Sequence, residues 1–219
     1  ITLNVASEEM MEVMLMAGEL DFAGLRMDFA SFPTYRTGED RGDYYTLNLS
    51  GMTRGQMGLT PNFWHSDEQI RELFNDVRFR NALSYAIDRE ELNEAIYTGL
   101  GTPSTLPLPE DSSFVAPEMV EWMERDLSYG PERSEELLDE IGLDWDSDGR
   151  YRLLPDGSPV TVRLELGHLG LAYPTRVELV TEYWNDIGIR TDTTTIDRTY
   201  YFELLDAQRT DFAIWPNEW

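Results

Sequence analysis

The sequence predicts an α/β fold, a mixed sheet with flanking helices, and three observations carry that prediction. Apolar residues alternate at period two in short runs such as VTVRLEL. They recur at helical spacing in runs such as VELVTEYWNDIG, and the two kinds of run succeed one another along the chain. With 219 residues, 41% of them apolar, the chain is long enough to bury a substantial core.

The elements can be taken in order. ITLNV reads as a strand, SEEMMEVMLMAGE as a helix with Ser7 as N-cap and Gly18 near its end, and LDFAGL as a second strand, together a βαβ unit. Residues 31–43 read as a polar connection, YYTLNLS as a strand and GMTRGQMGLTPNFW as a Gly-rich loop. HSDEQIRELFND opens a helical region in which Phe79, Ala82, Leu83, Ala86 and Ile87 share one buried face.

Asp88 stands three residues before Glu91, the D-x-x-E spacing in which an aspartate caps a new helix. Leu92, Ala95 and Ile96 give that helix its buried stripe, and Gly99 takes the left-handed conformation that ends it. Capping accounts for the acidic knot of Asp88, Glu90 and Glu91 around Arg89 without invoking catalysis.

Beyond the Pro-rich loop TPSTLPLPEDSSF, GPERSEELLDEIGL is a helix with Pro131 in its first turn, Leu137, Leu138 and Ile141 buried and Gly142 as its stop. RYRLLPDGSPVTVRLEL is a hairpin around Asp156 and Gly157, with Val160, Val162, Leu164 and Leu166 pointing inward. Next comes a helix with Val177, Val180, Trp184 and Ile187 on one face, then the strand IRTDTTTI, an order that implies a parallel crossover. Asp197 caps a last helix, RTYYFELLDAQ, and TDFAIW enters another strand.

Composition excludes several function classes. The 42 acidic and 17 basic residues give a net charge of -25, which repels phosphate backbones, so no nucleic-acid partner is expected. All basic residues are Arg, a bias that fits genome composition, a salt-rich habitat or a hot one. The absence of Cys removes thiol nucleophiles and thiolate metal sites, and His65 and His168 are too far apart in sequence to suggest a His-rich zinc site. No apolar run is long enough to span a membrane and no signal peptide is read, so an anchor would lie outside this chain. A start inside one strand-like run and a stop just after another suggest a piece of something larger.

Two local features carry chemistry. DWDSDG places Asp144, Asp146, Asp148 and Gly149 as the first half of a calcium loop, but the twelfth position holds Pro155 where a bidentate Glu belongs. A complete EF-hand is rejected. What remains is either a weaker Ca²⁺ site completed by Asp156 or a backbone carbonyl, or an acidic turn before the hairpin; no other cofactor is expected. Six Trp, eleven Tyr and nine Phe exceed what such a core needs. Trp184 reads as core, while Trp64, Trp215 and Trp219 lie in or beside loops and are binding candidates. GxSxG, Walker A and GxGxxG signatures are missing.

VRFRNALSYAIDREELNEAIYTGLGTP resembles a segment shared by the family 5 extracytoplasmic solute-binding proteins of ABC importers, which include dipeptide, oligopeptide and nickel binders. The matching residues are Val77, Arg78, Ala82, Leu83, Ala86, Ile87, Asp88, Arg89, Tyr97, Gly99 and Pro103. MLMAGELDFAGL, SEELLDEIGL, DSDGRYRLLPDGSPVTVRLEL and VTEYWNDIGI resemble further family segments in the same order. The resemblance implies a lobe of periplasmic-binding-protein type II. Residues 1–75 would end the first lobe and include the hinge, and 76–219 would form a second lobe incomplete at its C-terminus.

It also implies an extracytoplasmic, monomeric protein that captures a peptide or oligosaccharide between two lobes for a membrane permease, without catalysis. In peptide-binding members an acidic residue a little beyond the strand matched by TDFAIW, often within a W..D pattern, anchors the ligand's amino terminus; Trp215 and Glu218 have that spacing, with Glu in place of Asp, while aligning Asp211 with the family's strand Asp puts Trp219 in the Trp position instead. The ligand-binding candidates are therefore Trp215, Asn217, Glu218 and Trp219. Two other classes stay open, a glycoside hydrolase using paired carboxylates and a Ca²⁺-stabilised structural module.

Overall fold

The computed structural model describes residues 6–24, 27, 31–47, 57–103, 113, 115–116, 118–119, 128–167 and 173–215. The strand expected at ITLNV lies outside them.

Helices α1 (Glu8–Met16) and α2 (Phe32–Gly42) pack on one another. Ser7 caps α1 by accepting from the Met10 amide, as its position predicts. Helix α2 was expected to be a polar connection. It forms because Pro33 suits the first turn and because Gly38 and Gly42 leave room for the Tyr44 ring, whose hydroxyl donates to the Tyr35 carbonyl at 2.6 Å. The second strand expected at LDFAGL does not form over residues 20–24, nor does YYTLNLS form one over 44–47.

The main body is built from β1 (Gly58–Pro61), α3 (Glu68–Asn75), α4 (Val77–Tyr85), α5 (Arg89–Tyr97), α6 (Pro131–Glu140), β2 (Thr161–Leu166), α7 (Tyr173–Asp186), β3 (Arg190–Thr195), α8 (Arg198–Asp206) and β4 (Phe212–Trp215). Strands β2 and β3 pair in parallel across α7, as the strand-helix-strand order requires. Strand β1 pairs antiparallel with β4, within the stretch read from sequence as a Gly-rich loop. Thus β1 and α3, expected on the first-lobe side of residue 75, share one core with the elements beyond it.

That core gathers Phe74, Phe79, Ala82, Leu138, Val162, Leu164, Val177, Val180, Trp184 and Ile214. Trp184 is core, as its helix position predicts, and its indole N–H donates to the Leu83 carbonyl at 3.0 Å. In α5 the buried residues are Asn93 and Ile96, while Ala95 faces solvent. Asn93 is there because its side chain both accepts from and donates to the Gly101 backbone, closing the chain behind the helix.

The acidic knot resolves into three jobs. The Asp88 carboxylate accepts from the amides of Glu90 and Glu91 as the cap of α5. Arg89 donates to the carbonyl and hydroxyl of Ser84, and Glu91 accepts the Tyr183 hydroxyl at 2.7 Å, tying α5 to α7. Burial, with Glu91 alongside, pushes the Tyr183 phenol up.

These contacts and charges lead to two expected outcomes. Asp88→Ala should lower stability by about 0.5–2 kcal/mol in denaturant titrations, the cost of a lost cap. Even if each of the 17 Arg neutralised one of the 42 acids, 25 carboxylates would remain uncompensated. The melting temperature should therefore rise between roughly 0.1 and 1 M salt, as the screening length shrinks from about 10 to 3 Å; an unchanged value would show that self-repulsion does not limit stability.

Candidate functional site

The site is built where strands end. Strand β4 runs beside β2 in the same sense: the Asp211 carboxylate accepts the Arg163 amide at 2.8 Å near their starts. Near their ends, Tyr201 packs against Gly167 while its hydroxyl joins the backbone of Ile214. A Cβ at Gly167 would run into the Tyr201 ring. The carboxyl ends of β2, β3 and β4 therefore open on one side, the position where open α/β sheets receive ligands.

Helix α8 begins at that edge. Asp197 caps it, its Oδ1 accepting from the Thr199 and Tyr200 amides. The next turn brings three aromatic residues in a row, of which only Tyr201 faces inward, leaving Tyr200 and Phe202 exposed. Phe202 meets the Trp215 ring at 5.2 Å between centroids. The Arg198 guanidinium lies over both rings, 5.7 Å from Phe202 and 5.5 Å from Trp215. Half-buried Trp215, the last residue of β4, thus belongs to a platform of two rings and one cation.

Beneath the platform, Asp211 is pinned from two other elements. Arg163 donates to it through Nη2 at 2.7 Å and Nε at 3.3 Å, and His65 Nε2 approaches at 3.2 Å. His65 Nδ1 accepts the Asp67 amide, so the proton sits on Nε2 and points at Asp211. The His65–Asp211 pair has no free nitrogen for a nucleophile, and Asp211 is buried, so this is a clamp on β4 and not the start of a catalytic triad.

Glu165 lies on the same face of β2 as Arg163, with Oε2 buried and unbonded. Burial, and then the nearby Asp211 charge, push its pKa up.

Of the sequence-derived candidates, Trp215 is in the platform, while Asn217, Glu218 and Trp219 lie outside the described residues, as does His168. Trp64 is not part of the site. The β1–β4 register sets Gly58 opposite Trp215 and Pro61 opposite Phe212, which sends Trp64, 71% exposed, to the far end of the ladder. Asp144, Asp146 and Asp148, the calcium candidates, lie in and beside a turn. Asp146 accepts the Arg150 amide in a turn where Gly149 takes a positive φ, and Asp144, Asp146 and Asp148 are not gathered as metal ligands. Among the described residues no cluster of three such side chains is arranged for a metal. Sequence reasoning missed Arg198 and Phe202, for which the signal was the run RTYYF directly behind a capping Asp.

The site is thus a parallel β-α-β unit with an aromatic platform at its carboxyl edge, and the solved proteins on which it superposes are periplasmic binding proteins of type II. Residues 1–219 match the bacterial extracellular solute-binding proteins, family 5 (middle), and the chain belongs to that family. The oligopeptide-binding protein OppA superposes with a TM-score of 0.77 at 34% identity, over 96% of this chain and 33% of that one. The periplasmic binding protein MelB of Agrobacterium fabrum, solved with stachyose, gives 0.72 at 19% identity over 97% of this chain and 33% of its own. Heme-binding protein A of Haemophilus influenzae is 30% identical over 129 residues, 58% of this chain and 21% of that protein. This chain thus spans about a third of the length of these structural relatives and a fifth of the heme-binding protein's.

The unbonded Glu165 oxygen gives a pH test. A carboxyl whose folded pKa is raised holds its proton more tightly when folded, so its contribution is full below the unfolded value and is lost as pH rises through the folded one. Glu165→Gln should melt higher than the parent at pH 7 and lose that advantage near pH 4. A lower melting temperature at pH 7 would mean that the ionised form supports Arg163.

Proposed function

We propose that this chain is part of the substrate-capturing component of an ABC importer, a non-catalytic protein that encloses a peptide or oligosaccharide between two lobes. The observation that carries the reading is the Phe202–Trp215 pair at the carboxyl edge of β4, in a member of this solute-binding family. Flat aromatic faces with a cation beside them suit peptide side chains and sugar rings, and closure of a second lobe would bury the ligand's remaining surface. The relative at 34% identity is an oligopeptide-binding protein, which favours peptides.

On this reading the protein is a monomer working outside the cytoplasm and delivers its ligand to a membrane permease. Helices α1 and α2 belong to the first lobe, and residues 57–215 form most of the second. Asp211, buried and bonded through both oxygens, is not available as one of a pair of working carboxylates.

Calorimetry of the intact protein against peptide and oligosaccharide panels tests the proposal. Trp215→Ala should weaken binding about tenfold or more, close to 1.4 kcal/mol for each factor of ten, while Asp88→Ala leaves affinity unchanged. Absence of binding to either panel by a folded sample would overturn it. Loss of binding in Asp88→Ala at unchanged stability would show instead that the acidic knot serves the ligand and is more than a helix cap.

A further inference from the structure

We infer that Arg198 selects ligands that bring a carboxylate to this site, an inference that rests on the capture reading above. Arg198 is the cation of the platform, and it forms no ion pair among the described residues although the chain carries 42 carboxylates. Its nearest acidic neighbour in sequence, Asp197, is occupied in capping α8 through the Thr199 and Tyr200 amides. By contrast Arg78 and Arg133, both on helix surfaces, have carboxylate partners at 2.6 and 2.8 Å.

Geometry supplies the specificity. The guanidinium lies within cation–π distance of both rings, and its fork of N–H donors has no carboxylate partner among the described residues. The partner that matches that fork with two parallel hydrogen bonds is a planar carboxylate. The rings on one side of the cation also limit its hydration, which strengthens a charge-assisted bond when the second lobe closes. The protein as a whole carries a net charge of -25 and repels anions, so an acidic ligand gains from a cation that has no carboxylate partner among the described residues where it docks. A neutral ligand gains nothing from that arrangement.

The carboxylate can come from a peptide terminus or from a uronic acid, and matched probes separate these sources. In the intact protein, calorimetry would compare a pool of tetra- to hexapeptides with the same pool amidated at its C-termini, and trigalacturonate with its methyl ester. For the source that serves as ligand, the acid form should bind about tenfold tighter than its neutral partner, a factor worth about 1.4 kcal/mol. Arg198→Gln should bring the acid form down to the level of the neutral one and leave the neutral one unchanged, and Arg198→Lys should keep part of the preference. If Arg198 only props Trp215, Arg198→Gln will weaken both forms equally, which overturns the inference. Equal binding of both forms by the parent protein also overturns it and leaves the capture reading standing. No binding of any probe by a folded sample removes both.

Discussion

Arg152 holds the main body together. Its side chain is fully buried, donates to the carbonyls of Leu143 and Ile187 and to the Asp139 carboxylate, and lies against the Trp145 ring. Its backbone amide donates to the Gly188 carbonyl. One residue therefore ties the end of α6, the turn after α7 and the approach to β2, three places that no single helix or strand joins. A charge in that position is tolerated because every direction it faces offers a carbonyl, a carboxylate or a π-face; without its partners it would cost about 3–5 kcal/mol. Gly188 belongs to the same arrangement, since its positive φ and the closeness of Trp145 and Arg152 both exclude a side chain there.

The platform inherits its rigidity from a second polar joint. Asp211 fixes the start of β4 against β2 through Arg163 and against the loop before α3 through His65, and Asn62 closes the same corner by donating to the carbonyls of Gln208 and Thr210. Tyr201 then fixes the other end of β4 through both backbone groups of Ile214. Trp215 continues the strand, so its ring is positioned by bonds made up to four residues earlier and from three elements. Rings held in this way lose little freedom when a ligand stacks on them, and affinity is not spent on ordering the site.

Much of the body was legible because its signals are local. The caps at Ser7, Asp88 and Asp197, the helical spacing around Trp184 and the alternation from Val160 to Leu166 each involve residues within a few positions of one another, and each element forms where those signals place it. Helix α2 was not legible. Its Pro and two Gly read as a connection until α1 and Tyr44 supply the surface that makes those glycines useful. Strand β1 was missed for a related reason, since its partner β4 lies about 150 residues later and nothing in a Gly-rich stretch such as GQMGLTP announces that pairing. In the site, Trp215 was visible as an aromatic residue closing a strand. Arg198 and Phe202 were not, because their meeting with Trp215 depends on β3 and β4 flanking β2, which brings the start of α8 beside the end of β4.

The same nonlocality explains how a strongly acidic chain can hold a cationic site. Carboxylates spread over a surface repel one another through solvent, an effect that weakens over about 10 Å at 0.1 M salt. Arg198 is held within reach of two rings while the Asp197 Oδ1 is engaged by the helix backbone, so among the described residues the immediate partners of the cation are aromatic and not acidic. Long-range repulsion slows the approach of an anion without deciding its final affinity, which depends on contacts made after water has left the cleft. Added salt should then affect encounter more than residence. A lobe of this design can carry a large negative charge for solubility and still present one cation to its ligand.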